Sequence, residues 1–358
     1  MIVMLLFFGA CSKNKNSGNS KPPAPIVKKY TNPVFTPVFA DPALLDNRSV
    51  DGYFYAYATQ DNWGTNASSI KRVPIIRSKD LVNWEYMGTA FDSPPNWHIG
   101  KNLYWAPDVK YRNGKYYMYF ALSKFGASNS AIGVAVSNTP DGQFKDLGKV
   151  LDSKGSGVAN SIDPFFFTDT DGRSYLFWGS FHGIYGVPIE NDGITVNLNE
   201  KFKIAGNAFE ASYVFIRGGY YYFFGSVGSC CSGANSSYHI TVARSKSLKG
   251  PYLDINGNDI IFAMGWNYGK NDDVKNVNVL SAGRTIIAPG HNSEIVQDDN
   301  GQDWILYHAI KRPDYYLPNG ATRRPLNLDK VTWDANGWPK IGANGFPSEY
   351  ETDAPIFK

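Results

Sequence analysis

Three acidic residues stand at matching places in the sequence, each at the head of a short apolar strand. Asp41 begins DPALLDNRSVDG, Asp163 begins DPFFFTDTDG, and Glu210 begins EASYVFIRGG. Two carboxyl groups across a cleft can hydrolyse a glycosidic bond, one as general acid and the other as base or nucleophile. A third carboxyl group nearby raises the proton affinity of the acid, because like charges disfavour ionisation. A single acid at a strand end is ordinarily a cap, so this chemistry requires the three to converge.

The elements that would bring these acids together follow from a repeat. Aromatic and β-branched runs alternate with Asn-Gly, Asp-Gly and Gly-Gly turns, which is the pattern of β-hairpins, and helical periodicity is nearly absent. Further stretches of this kind begin at Asp108 and Asn292, which makes five. A turn glycine follows Asp163, Glu210 and Asn292 by the same nine residues. Each stretch, with the segment after it, offers about four strands, the content of one propeller blade.

The repeat therefore predicts an all-β fold, a five-bladed β-propeller with about four antiparallel strands per blade, over residues 32–358. Two stacked β-sandwiches are the alternative, but they would not explain the shared spacing. The first strand of each blade lines the central axis of a propeller. Asp41, Asp163 and Glu210 are accordingly expected to meet at one end of that axis.

The first 31 residues are expected to lie outside the propeller. Residues 1–11 are an apolar segment that ends at Cys11 and resembles the signal peptide of a bacterial lipoprotein. This segment is too short to span a bilayer. Residues 12–31 are predicted to be a flexible polar and Pro-rich tether. We therefore expect a lipoprotein of the bacterial cell envelope, in the outer membrane or periplasm, held to the membrane only through Cys11; a disordered N-terminus with a stray cysteine is the alternative.

Composition excludes several classes of function. Of the 358 residues, 43% are hydrophobic and 15% aromatic, which provides a sizeable core. The net charge is only +3, with no basic stripe, so no nucleic-acid partner is expected. Three cysteines cannot form a disulfide framework, and Cys230 with Cys231 can be either a vicinal disulfide or two thiols. No P-loop, dinucleotide-binding fingerprint or zinc-ligand spacing is present.

Taken together, the three acid motifs resemble those of glycoside hydrolase family 43, over residues 32–350. FADPALL is similar to the family's base motif, NSIDPFFF to the motif of its middle acid, and FEASYVF to its acid motif. The resemblance implies a five-bladed propeller that cleaves arabinose- or xylose-containing polysaccharides with inversion. It implies Asp41 as general base, Glu210 as general acid, and Asp163 as the residue that tunes the pKa of the acid and orients the substrate. Ser212 departs from the pattern, because many members have proline there.

Other segments are most similar to arabinan-degrading members of that family. Trp105 and Phe125, twenty residues apart, match their sugar-binding surface, and GSCCSGANSS resembles the vicinal-cysteine stretch of endo-acting arabinanases. Asn160 in NSIDPFFF and Ser180 in GSFHGIYG are expected to contact substrate as well. The resemblance implies an endo-acting arabinan endo-1,5-α-L-arabinosidase.

Two alternatives stay open. APGHNSEIVQ and RRPLNLDK occur in similar form in exo-acting α-L-arabinofuranosidases and β-xylosidases of the family, so exo action is one. A non-catalytic envelope propeller that binds glycans is the other. The expected partner is a polysaccharide, arabinan or else arabinoxylan, and the protein is expected to be a monomer.

His291 lies in the segment GHN. In arabinanases, a histidine in this motif helps to hold calcium on the propeller axis, mostly through water, so the resemblance implies Ca²⁺ at His291. Since Ca²⁺ prefers oxygen ligands, a single imidazole would make a weak site. Chloride, sodium or water are the alternatives.

Overall fold

Strands account for almost all regular structure in residues 28–97, 103–269 and 277–358, which are the residues that the computed structural model describes. The signal segment with Cys11, and the tether up to residue 27, lie outside these residues. The strands, in chain order, are β1 (Lys29–Tyr30), β2 (Ala43–Asp46), β3 (Phe54–Tyr57), β4 (Asp61–Asn62), β5 (Ile70–Lys71), β6 (Pro74–Ser78), β7 (Glu85–Thr89), β8 (Leu103–Arg112), β9 (Lys115–Ser123), β10 (Ala131–Ser137), β11 (Lys145–Asp152), β12 (Phe165–Thr168), β13 (Ser174–Trp178), β14 (Ile184–Ile189), β15 (Phe202–Ala205), β16 (Glu210–Arg217), β17 (Tyr220–Val227), β18 (His239–Ser245), β19 (Asn278–Leu280), β20 (Ile286–Gly290), β21 (Ile295–Gln297), β22 (Asp303–Lys311), β23 (Leu326–Trp333), β24 (Pro339–Ile341) and β25 (Thr352–Asp353).

Five antiparallel sheets follow one another along the chain, as the repeat predicts. Blade 1 is β2-β3-β6-β7, blade 2 is β8-β9-β10-β11, blade 3 is β12-β13-β14-β15, and blade 4 is β16-β17-β18-β19. Blade 5 is β20-β22-β23-β24, and its inner strand is split, because β21 also pairs with β22. The five-bladed propeller with about four strands per blade is thereby confirmed.

Helices are short and lie in connections. The α-helices are α1 (Arg48–Asp51) and α2 (Ser153–Ser156), and single 3₁₀ turns cover Ala67–Ser69, Leu198–Glu200, Gly233–Asn235 and Ile260–Phe262. Within the described part of the chain, no helix has the length and apolarity needed to cross a membrane.

Residues on the N-terminal side of the boundary predicted at residue 32 also pack on the propeller. Lys29 and Tyr30 in β1 pair with β25, and the buried Tyr30 hydroxyl donates to the Leu328 carbonyl at 2.8 Å. The Asn32 amide donates to the same carbonyl at 2.9 Å. The N-terminal segment thus packs on blade 5, because burying an aromatic ring and satisfying these groups holds it there. The end of the predicted tether is part of the propeller.

The hydrophobic core lies between neighbouring blades. Tyr57 of blade 1 packs in one cluster with Phe120 of blade 2, and Tyr119 of blade 2 stacks on Phe166 of blade 3 with ring centroids 5.3 Å apart. Each fully buried ring of this size stabilises the fold by about 1.5–3 kcal/mol. Because both faces of an inner sheet pack on a neighbour, the strands read as nearly continuous apolar runs.

A ring of hydrogen bonds closes the inner ends of the blades. At each blade interface, a side chain of one blade accepts a backbone N–H from the inner strand, or the segment leading into it, of the next blade. From blade 1 onward, the acceptor and donor pairs are Thr59 and Ala106, Asp108 and Phe166, Asp163 and Ala211, Ser226 and His291, and His308 and Asp41, at distances of 2.7–3.1 Å. This ring fixes the places from which the acids enter the axis.

Candidate active site

One pocket of about 370 Å³ opens where the inner strands begin. Its lining includes every residue predicted for the site: Asp41, Trp105, Phe125, Asn160, Asp163, Ser180, Glu210 and His291. Acids that are far apart in sequence therefore converge on one depression, so capping of strand ends does not describe their arrangement.

Asp41 is held as a carboxylate by groups from blades 1 and 5. Arg324 donates to its Oδ1 at 2.9 Å, and the Thr59 hydroxyl donates to its Oδ2 at 2.6 Å. His291 Nδ1 lies 3.2 Å from the same Oδ1. Burial opposes ionisation, but Arg324 and His291 outweigh it and hold the pKa of Asp41 well below its usual range. Asp41 is thus ionised at neutral pH and free to accept a proton.

His308 contacts the backbone of Asp41 and is neutral. Its Nδ1 accepts the backbone N–H of Asp41 at 3.0 Å, so its proton must sit on Nε2. Burial, together with the charge of Arg324, lowers the pKa of His308 to about 4. Its ring stacks on Tyr238 with centroids 5.6 Å apart, which connects the surroundings of Asp41 to those of Glu210.

Glu210 accepts hydrogen bonds from two hydroxyl groups. The Tyr238 hydroxyl donates to Oε1 at 2.6 Å, and the Ser180 hydroxyl donates to Oε2 at 2.7 Å. Asn160 donates in turn to the Ser180 Oγ at 2.9 Å, so these two of the four residues predicted to contact substrate also orient the acid. Burial raises the pKa of Glu210 despite these hydrogen bonds, which by themselves favour the ionised form.

Asp163 and Glu210 repel each other when both are ionised. Burial and the neighbouring Glu210 and Asp41 carboxyl groups raise the pKa of Asp163 to about 7, against the opposing influence of His291. The pair therefore keeps a proton to higher pH than either group would alone. Asp163 also accepts the Ala211 N–H at 3.1 Å, next to the backbone of Glu210. The pocket thus joins one ionised carboxylate to a carboxyl pair that retains a proton.

In the structure, Glu210 is offset by one residue from the positions of Asp41 and Asp163. A residue with positive φ lies at or near the start of each inner strand: Asp41, Ala106, Asp163, Ala211 and His291, with φ between 39° and 58°, and blade 5 has a second one at Ala288. Glu210 therefore precedes the residue that corresponds to Asp41 and Asp163, and it reaches the axis from the first residue of β16, which pairs irregularly between Glu210 and Tyr213. Positive φ is uncommon for residues other than glycine and recurs at functional sites.

Two aromatic pairs flank the acids. Trp105 and Phe125 meet edge to face with centroids 6.1 Å apart, and Phe125 is 84% exposed. On another part of the lining, Phe181 stacks on Trp266 with centroids 5.4 Å apart, and Trp266 is 56% exposed. Exposed rings beside a polar depression suit a ligand that offers both apolar faces and hydroxyl groups.

Sequence reasoning missed several residues of the site. Arg324, Thr59, His308 and Tyr238 hold the acids, and Trp266 completes the second aromatic pair. Arg324, His308 and Tyr238 lie in segments that resemble the family, RRPLNLDK, APGHNSEIVQDDNGQDWILYHAI and GSCCSGANSSYHITVARS, but the resemblance assigns them no role. Thr59 and Trp266 lie outside these segments.

A disulfide joins Cys230 to Cys231 in the pocket wall. Of the two alternatives that the sequence left open, the structure therefore has the vicinal disulfide. Both cysteines line the pocket, and Cys230 also packs against a buried apolar cluster that includes Tyr238 and Ile287.

The side chains around His291 do not fit a calcium ion bound by protein ligands. Throughout residues 28–97, 103–269 and 277–358, no group of three or more His, Cys, Asp or Glu side chains could hold a metal ion. Ca²⁺ takes about six to eight oxygen ligands, and the Nδ1 of His291 is already directed at Asp41.

Comparison with known proteins gives matches over most of the chain. Residues 30–339 match the sequence profile described as Glycosyl hydrolases family 43. The extracellular exo-α-(1→5)-L-arabinofuranosidase of Cellvibrio japonicus is 33% identical over 296 residues, 75% of this chain and 80% of that protein. The extracellular endo-α-(1→5)-L-arabinanase 1 of Bacillus subtilis is 35% identical over 288 residues, 77% of this chain and 82% of that protein. The α-L-arabinanase of Cellvibrio cellulosa, solved in complex with arabinohexaose, superposes with a TM-score of 0.71 at 28% identity, covering 86% of this chain and 96% of that one.

Proposed function

This chain belongs to glycosyl hydrolases family 43, and from that premise we propose that it hydrolyses α-1,5-linked L-arabinan with inversion at the anomeric carbon. The observation that carries the proposal is the convergence of Asp41, Asp163 and Glu210 on one pocket, in surroundings that lower the pKa of Asp41 and raise that of Glu210. Related enzymes named for endo and exo cleavage of the α-(1→5) linkage support the choice of substrate.

Asp41 acts as the general base. Because Arg324 keeps it ionised, it takes a proton from a water molecule as the water oxygen attacks the anomeric carbon. Both carboxylate oxygens already accept a hydrogen bond, which fixes their orientation and leaves lone pairs for the water. The hydrogen bonds from Arg324 of blade 5 and Thr59 of blade 1 therefore keep Asp41 ionised and also orient its carboxylate.

Glu210 acts as the general acid. Its raised pKa favours the protonated form, and it donates this proton to the glycosidic oxygen as the bond to the anomeric carbon breaks. Tyr238 and Ser180 orient its two oxygens and stabilise the carboxylate that forms once the proton has left. One turnover leaves Asp41 protonated and Glu210 ionised, and exchange with solvent resets both.

Asp163 tunes the acid rather than moving a proton itself. Repulsion between the two carboxylates raises the pH at which the pair of Asp163 and Glu210 loses its last proton. Asp163 also accepts the Ala211 N–H, which holds the backbone beside Glu210 in place.

Endo action is the favoured mode because the depression does not end at the acids. A second cavity of about 650 Å³ continues past Trp105 and Phe125 toward loops of blades 1 and 5, and it shares Thr59 and Arg324 with the catalytic pocket. A chain can therefore extend beyond the reacting linkage. An exo-acting α-L-arabinofuranosidase or β-xylosidase is the second candidate, supported by the exo-acting relative.

Two measurements on the purified protein test this function. Chromatography of early products from linear arabinan should give a ladder of oligosaccharides, whereas arabinose alone would indicate exo action. Proton NMR of the first products should show the β anomer at the new reducing end; the α anomer would contradict inversion. No turnover of arabinan, arabinoxylan or aryl arabinofuranosides, despite binding, would favour a glycan-binding propeller.

Location in the cell envelope forms a second part of the proposal. Relatives named extracellular and the apolar segment before Cys11 support export and a lipid anchor on Cys11. Metabolic labelling with palmitate should mark the full chain but not a Cys11→Ala variant; equal labelling of both would contradict the anchor. A mostly hydrated Ca²⁺ near His291 and a monomeric state stay predictions, which elemental analysis and sedimentation can test.

A further inference from the structure

The disulfide in the wall of the catalytic pocket lies against the apolar cluster that contains Tyr238. Cys230 packs on this cluster, whose buried members are Tyr238, Ile287, Ala288 and Ile310. Both cysteines also line the pocket. The disulfide therefore contacts the pocket on one side and, through Cys230, the surroundings of the Tyr238 ring on the other.

The ring of Tyr238 is enclosed by neighbours that fix the place of its hydroxyl group. The residue is only 1% exposed, and its ring stacks on His308. A Cβ added at Gly290 would overlap the same ring, so the backbone of Gly290 lies directly against it. The hydroxyl donates to Glu210 Oε1 at 2.6 Å. A displacement of the ring would therefore lengthen or break the hydrogen bond to the acid.

The backbone also ties the disulfide to Tyr238, through a loop that we call the Cys–Cys loop, residues 228–238, between β17 and β18. The carbonyl of Ser229, next to Cys230, accepts the N–H of Ser237 at 2.9 Å and that of Tyr238 at 3.1 Å. The Ser229 N–H donates to the Ser237 hydroxyl at 3.1 Å. The disulfide closes a small covalent ring around the adjoining peptide bond, and this ring restricts rotation there.

The Cys–Cys loop has further attachments that do not involve the disulfide. The Gly233 N–H donates to the Thr322 hydroxyl of blade 5 at 3.2 Å. Within the loop, the Ser232 N–H donates to the Ser236 hydroxyl at 2.9 Å. Because these hydrogen bonds remain when the disulfide opens, we expect the loop to stay docked and the change to be local.

We propose that the Cys230–Cys231 disulfide is a positioning element of the acid, because it holds the ring of Tyr238, whose hydroxyl orients Glu210. The inference rests on the proposed function and adds the group that keeps the hydrogen-bond donor of the acid in place. A dithiol reductant should accordingly weaken catalysis: the dithiol becomes a disulfide, and the two cysteines become thiols.

The effect on the acid has a definite direction. Titratable groups of other blades also act on Glu210 or contact the Tyr238 ring, namely Asp41, Asp163, His291 and His308. They lie outside the Cys–Cys loop, so opening the disulfide acts on Glu210 through Tyr238. The hydrogen bond from Tyr238 favours the ionised acid, and its loss raises the pKa of Glu210 further. Since the acid must be protonated, the basic limb should move to higher pH.

The kinetics of Cys231→Ser on linear arabinan test this role, since this change breaks the disulfide but leaves the sulfur of Cys230 at the cluster. We expect kcat to fall by about three- to tenfold and the basic limb to rise by about 0.5–1 pH unit, part of the shift for Tyr238→Phe. In a Tyr238→Phe background, Cys231→Ser should move the limb no further, because the residue through which it acts has lost its hydroxyl. Ser236→Ala is the matched control, because it removes a hydrogen bond of the same loop at a residue that does not line the pocket.

A second measurement needs neither substrate nor a cysteine substitution. Fluorine NMR follows 3-fluorotyrosine incorporated at position 238, and dithiothreitol should shift its signal, while mass spectrometry after alkylation shows that the disulfide has opened. An unchanged signal in the reduced protein would overturn the proposal, and so would a shift of the basic limb that persists in full in the Tyr238→Phe background. A shifted signal in a protein that does not hydrolyse arabinan would show that the proposed function alone is wrong.

Discussion

Replacing Arg324 with methionine should shift the acid limb of the pH–activity profile to higher pH. Arg324 lies 2.9 Å from Asp41 Oδ1, and two unit charges at that distance attract by up to about 6 kcal/mol at an effective dielectric constant near 20. His291 and Thr59 remain beside Asp41 after the change. We therefore expect the shift usual for an aspartate that loses an arginine partner, about 1–3 pH units.

The direction follows from the protonation state that catalysis requires. Asp41 must be ionised to act as base, and its pKa is held low, so the wild-type protein keeps activity well into the acid range. Without Arg324, burial raises the pKa of Asp41, and kcat/KM should begin to fall at higher pH.

The assay is kcat/KM on linear arabinan from pH 3 to pH 9, with circular dichroism at each pH to confirm folding. Arg323→Met is a matched control, because Arg323 donates to the Pro37 carbonyl rather than to Asp41. Arg324→Lys should show only part of this shift, because it keeps the charge but not the planar donor group. An acid limb in Arg324→Met that coincides with the wild type, even with a lower overall rate, would refute control of that limb by Asp41.

Three further predictions concern Glu210 and its neighbours. Asp163→Asn should lower the basic limb by about one pH unit or more, because the acid no longer shares its proton with a like-charged group; an unmoved limb would contradict the coupling. Tyr238→Phe should raise the basic limb by about 1–2 units, because it removes a hydrogen bond that favours ionised Glu210; a downward shift would contradict this role. Gly290→Ala should lower the free energy of unfolding by about 1–3 kcal/mol in urea titrations, since the new Cβ would overlap the buried Tyr238 ring; unchanged stability would show that this ring can move aside.

The repeat made most of the fold predictable. Turn glycines and aromatic strands recur in every blade, and the physical demand that each strand bury both faces leaves a strong pattern in the sequence. The same pattern placed Asp41, Asp163 and Glu210 at one end of the axis. The strands of blade 5 were harder to predict from the sequence, because its inner strand is interrupted between β20 and β21.

The one-residue offset of Glu210 could not be read from spacing alone. The sequence comparison counts residues between each acid and its turn glycine, and this assumes regular strand pairing. In β16 the pairing is irregular between Glu210 and Tyr213, so the same count of nine residues places Glu210 one position earlier in the strand. The protonation states depend on contacts across the closed ring of blades. Arg324 is 283 residues from Asp41, and only the closure of blade 5 on blade 1 brings them together.

The strand repeat also did not predict the second aromatic pair or the strand formed by Lys29 and Tyr30. Trp266 lies in a long connection of blade 4 that has no counterpart in the repeat. Lys29 and Tyr30 follow a polar, Pro-rich segment, and their order comes from pairing with β25 at the far end of the chain.

The kinetics of Glu210→Gln on two substrates test the central claim most directly. On linear arabinan, whose leaving group needs a proton, kcat/KM should fall by about 10²–10⁴-fold, because glutamine cannot supply one. On a 2,4-dinitrophenyl arabinotrioside, whose leaving group departs without a proton, the loss should be far smaller. Hydrolysis of arabinan near the wild-type rate, or the same loss on both substrates, would contradict the assignment of Glu210 as the acid that works opposite Asp41.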